Sequence, residues 1–241
     1  MRVGGSAVGK MAVPFAIGLL ALSQLLSAAE FTPEQEKWLE SDSLEAPGSR
    51  VNEGELSFLP RPRDETIPYS KNVIVIHPDS IDPDSIDADS IDAGWISLKQ
   101  CHHRLDSVPR LEIVYRYKHI RDLRIVEQRG IGDVRLVGQT VEMTDIEREN
   151  RVCIEAEVQN LYSDDGWYFR LVNGPYHRQF LDGYYPYHVS LHIAYPPERL
   201  ETVRTTPREQ TGFDIDYQSG RIDIHAWFEG RLMIEVDFRK K

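Results

Sequence analysis

From Asn72 to the end of the chain, apolar and polar residues alternate with a period of two. Val73-Ile74-Val75-Ile76 is a short, wholly apolar run of the kind a buried strand carries. Leu111, Ile113, Tyr115 and Tyr117 alternate with Glu112, Arg116 and Lys118, and Val152, Ile154, Ala156 and Val158 alternate with Cys153, Glu155 and Glu157. Tyr185, Tyr187, Val189, Leu191, Ile193 and Tyr195 form a third such row. Alternation of this sort puts one face of each strand in a core and the other in water, as in an antiparallel sheet. No amphipathic helix is convincing after residue 70, although Asp145-Ile146-Glu147-Arg148 reads as one helical turn. The fold expected is all-β: an antiparallel β-sandwich, or a partly open barrel, preceded by a short N-terminal helix and an extended linker.

The C-terminus can be read to register. Ser219-Gly220 serves as a two-residue turn pairing Tyr217 with Ile222, Ile215 with Ile224 and Phe213 with Ala226. A three-residue turn, Glu229-Gly230-Arg231, then sets Phe228 opposite Leu232, Ala226 opposite Ile234 and Ile224 opposite Val236. A three-stranded meander follows. Its polar face would hold Asp216, Asp223 and Asp237 in one row, with Asp214, His225 and Glu235 in the next.

The first 29 residues differ from the rest. Arg2 and Lys10 precede an apolar run from Met11 to Leu26, and Ser27-Ala28-Ala29 supplies small residues at its end. This is the pattern of a secretory signal peptide, too short for a comfortable membrane span. Removing 29 of the 241 residues leaves 212, and losing Arg2 and Lys10 takes the formal charge from −11 to −13. Such acidity argues against nucleic acid and against anionic membrane surfaces. No Asn-x-Ser/Thr sequon occurs, which favours a bacterial envelope over a glycosylating route. Residues 30–69 read as a short helix, capped by Thr32-Pro33-Glu34-Gln35, followed by a linker containing proline and glycine. Residues 70–241 then form one sandwich-like domain. The near-repeat PDSIDPDSIDADSIDA places an acidic loop at 79–93, because isoleucine occupies the slots where a calcium loop needs oxygen ligands.

Three constellations are candidates for function. Asn173 to His188 interleaves Tyr176, His177, Arg178, Asp182, Tyr184, Tyr185 and Tyr187 and, with Trp167, concentrates the aromatic and hydrogen-bonding groups that recognise sugars or peptides. The same rings would equally fill a sandwich core. The acidic rows, Asp216, Asp223 and Asp237 with His225, suit a divalent cation, although carboxylates two strands apart sit about 10 Å from each other. Cys101 and His103 share one face of a strand and suit zinc or copper, but Cys101 is also the natural disulfide partner of Cys153 in an oxidising compartment. His188 and His192 lie about 13 Å apart along one strand and cannot chelate one ion by themselves.

No Gly-x-Ser-x-Gly, His-Glu-x-x-His or phosphate-cradling glycine loop is present, so enzymatic activity is disfavoured. The function expected is a periplasmic or secreted, non-catalytic binding module without a cofactor. Its partner would be an envelope protein or carbohydrate. Metal handling and hydrolysis of an envelope polymer are the alternatives.

Overall fold

The computed structural model describes residues 52–63, 66–81, 94–181 and 183–241. The strands in chain order are β1 (Ser57–Phe58), β2 (Tyr69–Val75), β3 (Trp95–His103), β4 (Arg110–Val114) and β5 (Ile120–Val137). They continue as β6 (Thr140–Gln159), β7 (Leu161–Tyr162), β8 (Tyr168–Tyr176), β9 (Gln179–Phe180) and β10 (Gly183–Tyr184). The last five are β11 (Tyr187–Ala194), β12 (Leu200–Thr206), β13 (Phe213–Gln218), β14 (Arg221–Glu229) and β15 (Leu232–Lys240). Among the described residues the regular structure is nearly all β, and the one helical element is a 3-10 turn, Pro78–Ile81. The proposed N-terminal helix and signal segment lie outside the described residues.

Two sheets make a sandwich-like pair. The larger has nine strands in the order β1-β14-β11-β2-β3-β6-β4, with β13 also on β14 and β5 also on β6. The smaller is β12-β15-β8-β7. Period-two patterning produces the core directly. In the large sheet Ile222, Ile193, Ile74, Leu98 and Ala156 stand side by side across five strands. In the small sheet Phe238 pairs with Phe169 and Val236 with Leu171, and both sets belong to one buried cluster. Burying each such side chain contributes roughly 1.5–3 kcal/mol before entropy is charged against it.

The β13–β14 register agrees with the expectation, Tyr217 opposite Ile222 and Phe213 opposite Ala226. The third strand of the meander does not. β15 pairs with β8 and β12 in the small sheet, and β14 instead takes β11 as its neighbour. Alternation states which face of β15 is apolar but not which strand lies beside it, and that face is satisfied equally well across the core. The crossover turn uses Gly230 at φ 88°, where a Cβ would collide with the carbonyl oxygen of Glu55. Consequently the three aspartates are not abreast: Asp216 faces Asp223, but Asp237 and Glu235 are in the other sheet.

Two further expectations change. Asp145 to Arg148 run as strand within β6, whose ladder with β5 extends from Ile120 to Val137 and outweighs any local helical tendency. The segment expected as linker is tied to the domain through β1, which pairs with the end of β14 while Phe58 packs on Phe213 at 5.3 Å between ring centroids. Of the repeat 79–93, Ser80 and Ile81 are buried in the 3-10 turn, and 82–93 lie outside the described residues. One pairing, β2 with β11, is parallel.

Candidate ligand-binding cleft

The inner face of the large sheet is not apolar throughout. One row reads Ile224, Leu191, Asn72, Gln100, Ile154, and the next reads Ala226, Val189, Ser70, His102, Val152. Ser70, Asn72, Gln100 and His102 therefore form a buried polar island on β2 and β3. Buried polar groups cost stability unless each finds a partner. Here they form one continuous network. Asn72 Nδ2 donates to Ser70 Oγ at 3.2 Å, and the Ser70 side chain beside Tyr187 partly offsets the upward push of burial on that phenol. Tyr187 bonds His102 Nδ1 at 3.2 Å, His102 Nε2 bonds Gln100 Oε1 at 2.9 Å, and Gln100 Nε2 donates back to Asn72 Oδ1 at 2.5 Å. Tyr115 adds a hydroxyl donor to Gln100 Oε1 at 2.8 Å.

The network determines a tautomer. Gln100 Oε1 can only accept, so His102 carries its hydrogen on Nε2, and Nδ1 accepts from Tyr187. Burial, followed by the neighbouring His103, lowers the His102 pKa to about 3, so the ring is neutral at physiological pH. Burial likewise pushes the phenols of Tyr115, Tyr117, Tyr176 and Tyr187 upward.

Above this island lies a cleft of about 360 Å³, lined by Gln100 and His102, by residues 111–117, by the end of β8 and the residues after it (173–179), and by Tyr187. Gly174, at φ 118°, lets the end of β8 pass the Leu232 carbonyl, where a Cβ would come within 2.6 Å of the oxygen. Asn173, 1 % exposed, accepts from the Tyr176 hydroxyl at 2.6 Å and the Tyr117 hydroxyl at 3.4 Å through Oδ1. Its Nδ2 has no hydrogen-bond partner. At the rim Arg178 holds Asp106 through two contacts, 2.6 and 2.8 Å, and donates to the Pro186 carbonyl. His177 hydrogen-bonds the Pro175 carbonyl through Nδ1, placing its hydrogen there; burial lowers its pKa. The other cleft carboxylate, Glu112, pairs with Arg110 at 2.8 Å.

Of the aromatic segment, Tyr176, His177, Arg178 and Tyr187 line the cleft. Tyr184 does not: it is buried elsewhere, its hydroxyl accepting from Arg231 Nε at 2.6 Å. Tyr185 is 39 % exposed beside Arg178, and Asp182 lies outside the described residues. Trp167 stands just before β8 begins, about 30 Å of extended strand from Tyr176. Sequence reasoning missed Asn173, Gln100, His102, Tyr115 and Tyr117. The available signal was polar residues on the inward rows of β2 and β3, where alternation calls for apolar ones.

The candidate metal ligands are spread out. Asp223 accepts from His192 Nδ1 at 2.5 Å and pairs with Arg221 at 2.6 Å. Burial raises its pKa, but these partners outweigh burial and leave it below the usual carboxylate range. His225 sits opposite Asp214 with its Nδ1 3.4 Å from His188 Nε2. Asp237 is held by Arg170 at 2.7 Å and Arg204 at 2.5 Å in the small sheet. Cys101 faces Cys153 across the β3–β6 ladder at disulfide distance, 2.15 Å between sulfurs, so its sulfur is not offered to an ion with His103. Among the described residues no group of three or more His, Cys, Asp or Glu is arranged to hold a metal ion. Among them, too, no helix is long and apolar enough to cross a membrane.

Comparison with known proteins yields no matching family model and no matching curated sequence.

Proposed function

We propose that the protein is an exported binding module of the bacterial cell envelope, with the cleft beside Tyr176 and Tyr187 as its ligand site and no chemical step of its own. The observation carrying this reading is the convergence, around one cavity, of Tyr176, His177, Arg178 and Tyr187 from the aromatic segment with a buried, fully paired polar island. Such a wall is rigid before a ligand arrives, which lowers the ordering cost of binding. A concave site with apolar sides and few polar groups is the usual form of a small-molecule site. Export accords with the N-terminal segment and with the paired cysteines, which suit an oxidising compartment.

The test is a thermal-shift titration of the full-length protein with the low-molecular-weight fraction of a bacterial envelope extract. Wild type is compared with Gln179→Trp, a substitution at the exposed rim that narrows the cleft. Stabilisation of wild type by several degrees, lost in the variant, is the expected outcome. An equal shift in both proteins, or none in either, removes the cleft as the binding site.

A further inference from the structure

Resting on that reading, we infer that the cleft takes a neutral saccharide, with one ring hydroxyl seated against Asn173. The polar groups at the base of the cleft divide into two kinds. Ser70, Asn72, Gln100, His102 and Tyr187 satisfy one another in one network and have little left to offer. Asn173 is different: its side chain is 1 % exposed, lines the cleft, and carries an amide Nδ2 without a partner. A buried donor left unpaired costs stability, and a ligand oxygen would remove that cost.

The tyrosines beside Asn173 narrow the chemistry further. Tyr117 and Tyr176 both spend their phenolic hydrogens on Asn173 Oδ1, so each retains only acceptor capacity on its oxygen. A ligand group in this corner must accept from Nδ2 and donate to a phenol. A hydroxyl does both through one atom, whereas an amide needs its oxygen and nitrogen on different sides. The ring walls and the side chains of Leu111, Ile113 and Pro175 supply the apolar surface on which a sugar face rests. The base holds no ionic group; of the two arginines that line the cleft, Arg178 is already matched by Asp106, and Arg116 is exposed to water at the rim. A charged group seated at the base would lose hydration without gaining a counter-ion there.

The experiment is a two-dimensional amide NMR titration of the full-length protein. The probes are glucose, N-acetylglucosamine, its β-1,4-linked disaccharide, glucuronic acid, and N-acetylglycine N-methylamide as a neutral peptide mimic. A neutral sugar is expected to shift the Asn173 side-chain amide and the backbone amides of residues 113–117 and 174–178, excluding proline. Glucuronic acid should bind at least about tenfold more weakly than its neutral counterpart, as a desolvated charge without a partner dictates. Asn173→Leu should weaken the sugar by roughly tenfold, the worth of one hydrogen bond to a buried donor. Tyr117→Phe, which leaves Asn173 in place, guards against a folding defect and should weaken it by roughly three- to tenfold. Silence of all three neutral sugars overturns the inference, as does a sugar that binds Asn173→Leu as well as wild type. If the peptide mimic or glucuronic acid moves these resonances while the sugars do not, the saccharide assignment fails and the cleft survives. If the envelope extract is silent as well, both fail.

Discussion

Tyr187 on β11 and His102 on β3 meet at 3.2 Å, hydroxyl to Nδ1, although β2 lies between their strands. This bond bridges three strands on the inner face and ties Tyr187 into the polar network. Tyr187→Phe keeps the ring and removes the link, leaving His102 Nδ1 buried and unpaired. The expected loss is about 1–3 kcal/mol in urea unfolding, the cost of stranding a buried acceptor. A variant as stable as wild type would show that this link contributes nothing.

His102 also makes stability depend on pH. Its pKa is about 3 in the folded protein, lowered by burial, against 6.5 when exposed. Between those values the unfolded chain binds a proton that the folded one refuses, so stability is full above 6.5 and declines as pH falls through the window. Well inside it, the decline approaches about 1.4 kcal/mol per pH unit. His103, His177 and His225, lowered chiefly by burial, add in the same direction, whereas the depressed carboxylates of Asp223 and Asp237 act only at still lower pH. His102→Gln should flatten the slope between pH 6 and 4 whatever it does to stability at pH 7. Unfolding free energies at a series of pH values compare the two slopes.

Cys101 and Cys153 are 52 residues apart in sequence. Closing a loop of that length restricts the unfolded chain, and replacing both cysteines with serine is expected to cost roughly 3–4 kcal/mol. Chemical denaturation without reductant measures it. If the midpoint does not move, the pair is not bonded in the purified protein.

Gly230 carries the chain from one sheet to the other at a backbone angle that only glycine adopts cheaply, with the Glu55 carbonyl where a side chain would begin. Gly230→Ala combines strain with collision and should cost at least about 2 kcal/mol. It should also speed limited proteolysis between Asn52 and Leu59, because the collision lies against that segment. Thermal unfolding and a digestion time course read the two effects separately.

Ile81 belongs to the first copy of the acidic repeat yet is fully buried. Ile81→Ala is expected to cost about 2–4 kcal/mol, as core truncations do. Deleting Pro83 to Asp92, the other two copies, should change stability by less than about 1 kcal/mol, because connection length costs little entropy. Parallel urea titrations of both variants separate anchor from insertion. A large loss from the deletion would contradict the loop assignment.

Strand faces were legible in the sequence because side-chain direction is local. The rows Val189, Leu191, Ile193 and Val152, Ile154, Ala156 point inward as their alternation requires. The β13–β14 register was legible as well, since a two-residue turn leaves one pairing that matches apolar with apolar. β15 was not, because its inward face is served equally by a neighbour beside it or a sheet across from it. The candidate site divides the same way. Composition pointed to Tyr176, His177, Arg178 and Tyr187, but exposure and partners separate them from Tyr184 and Trp167.

The amino-acid order by itself determined an all-β chain, the inward face of most strands, one hairpin register and the pairing prospects of two cysteines. These follow from periodicity and short-range turn chemistry, which act over a few residues. Only the tertiary structure decided that β15 leaves for the second sheet and that β2 slips between β11 and β3. It also brought Asn72, Gln100, His102 and Tyr187 into one hydrogen-bonded network and left Asn173 with a donor to spare. The reason is physical: hydrogen-bond satisfaction in a buried space depends on which strands become neighbours, and that is settled by packing across more than a hundred residues of separation.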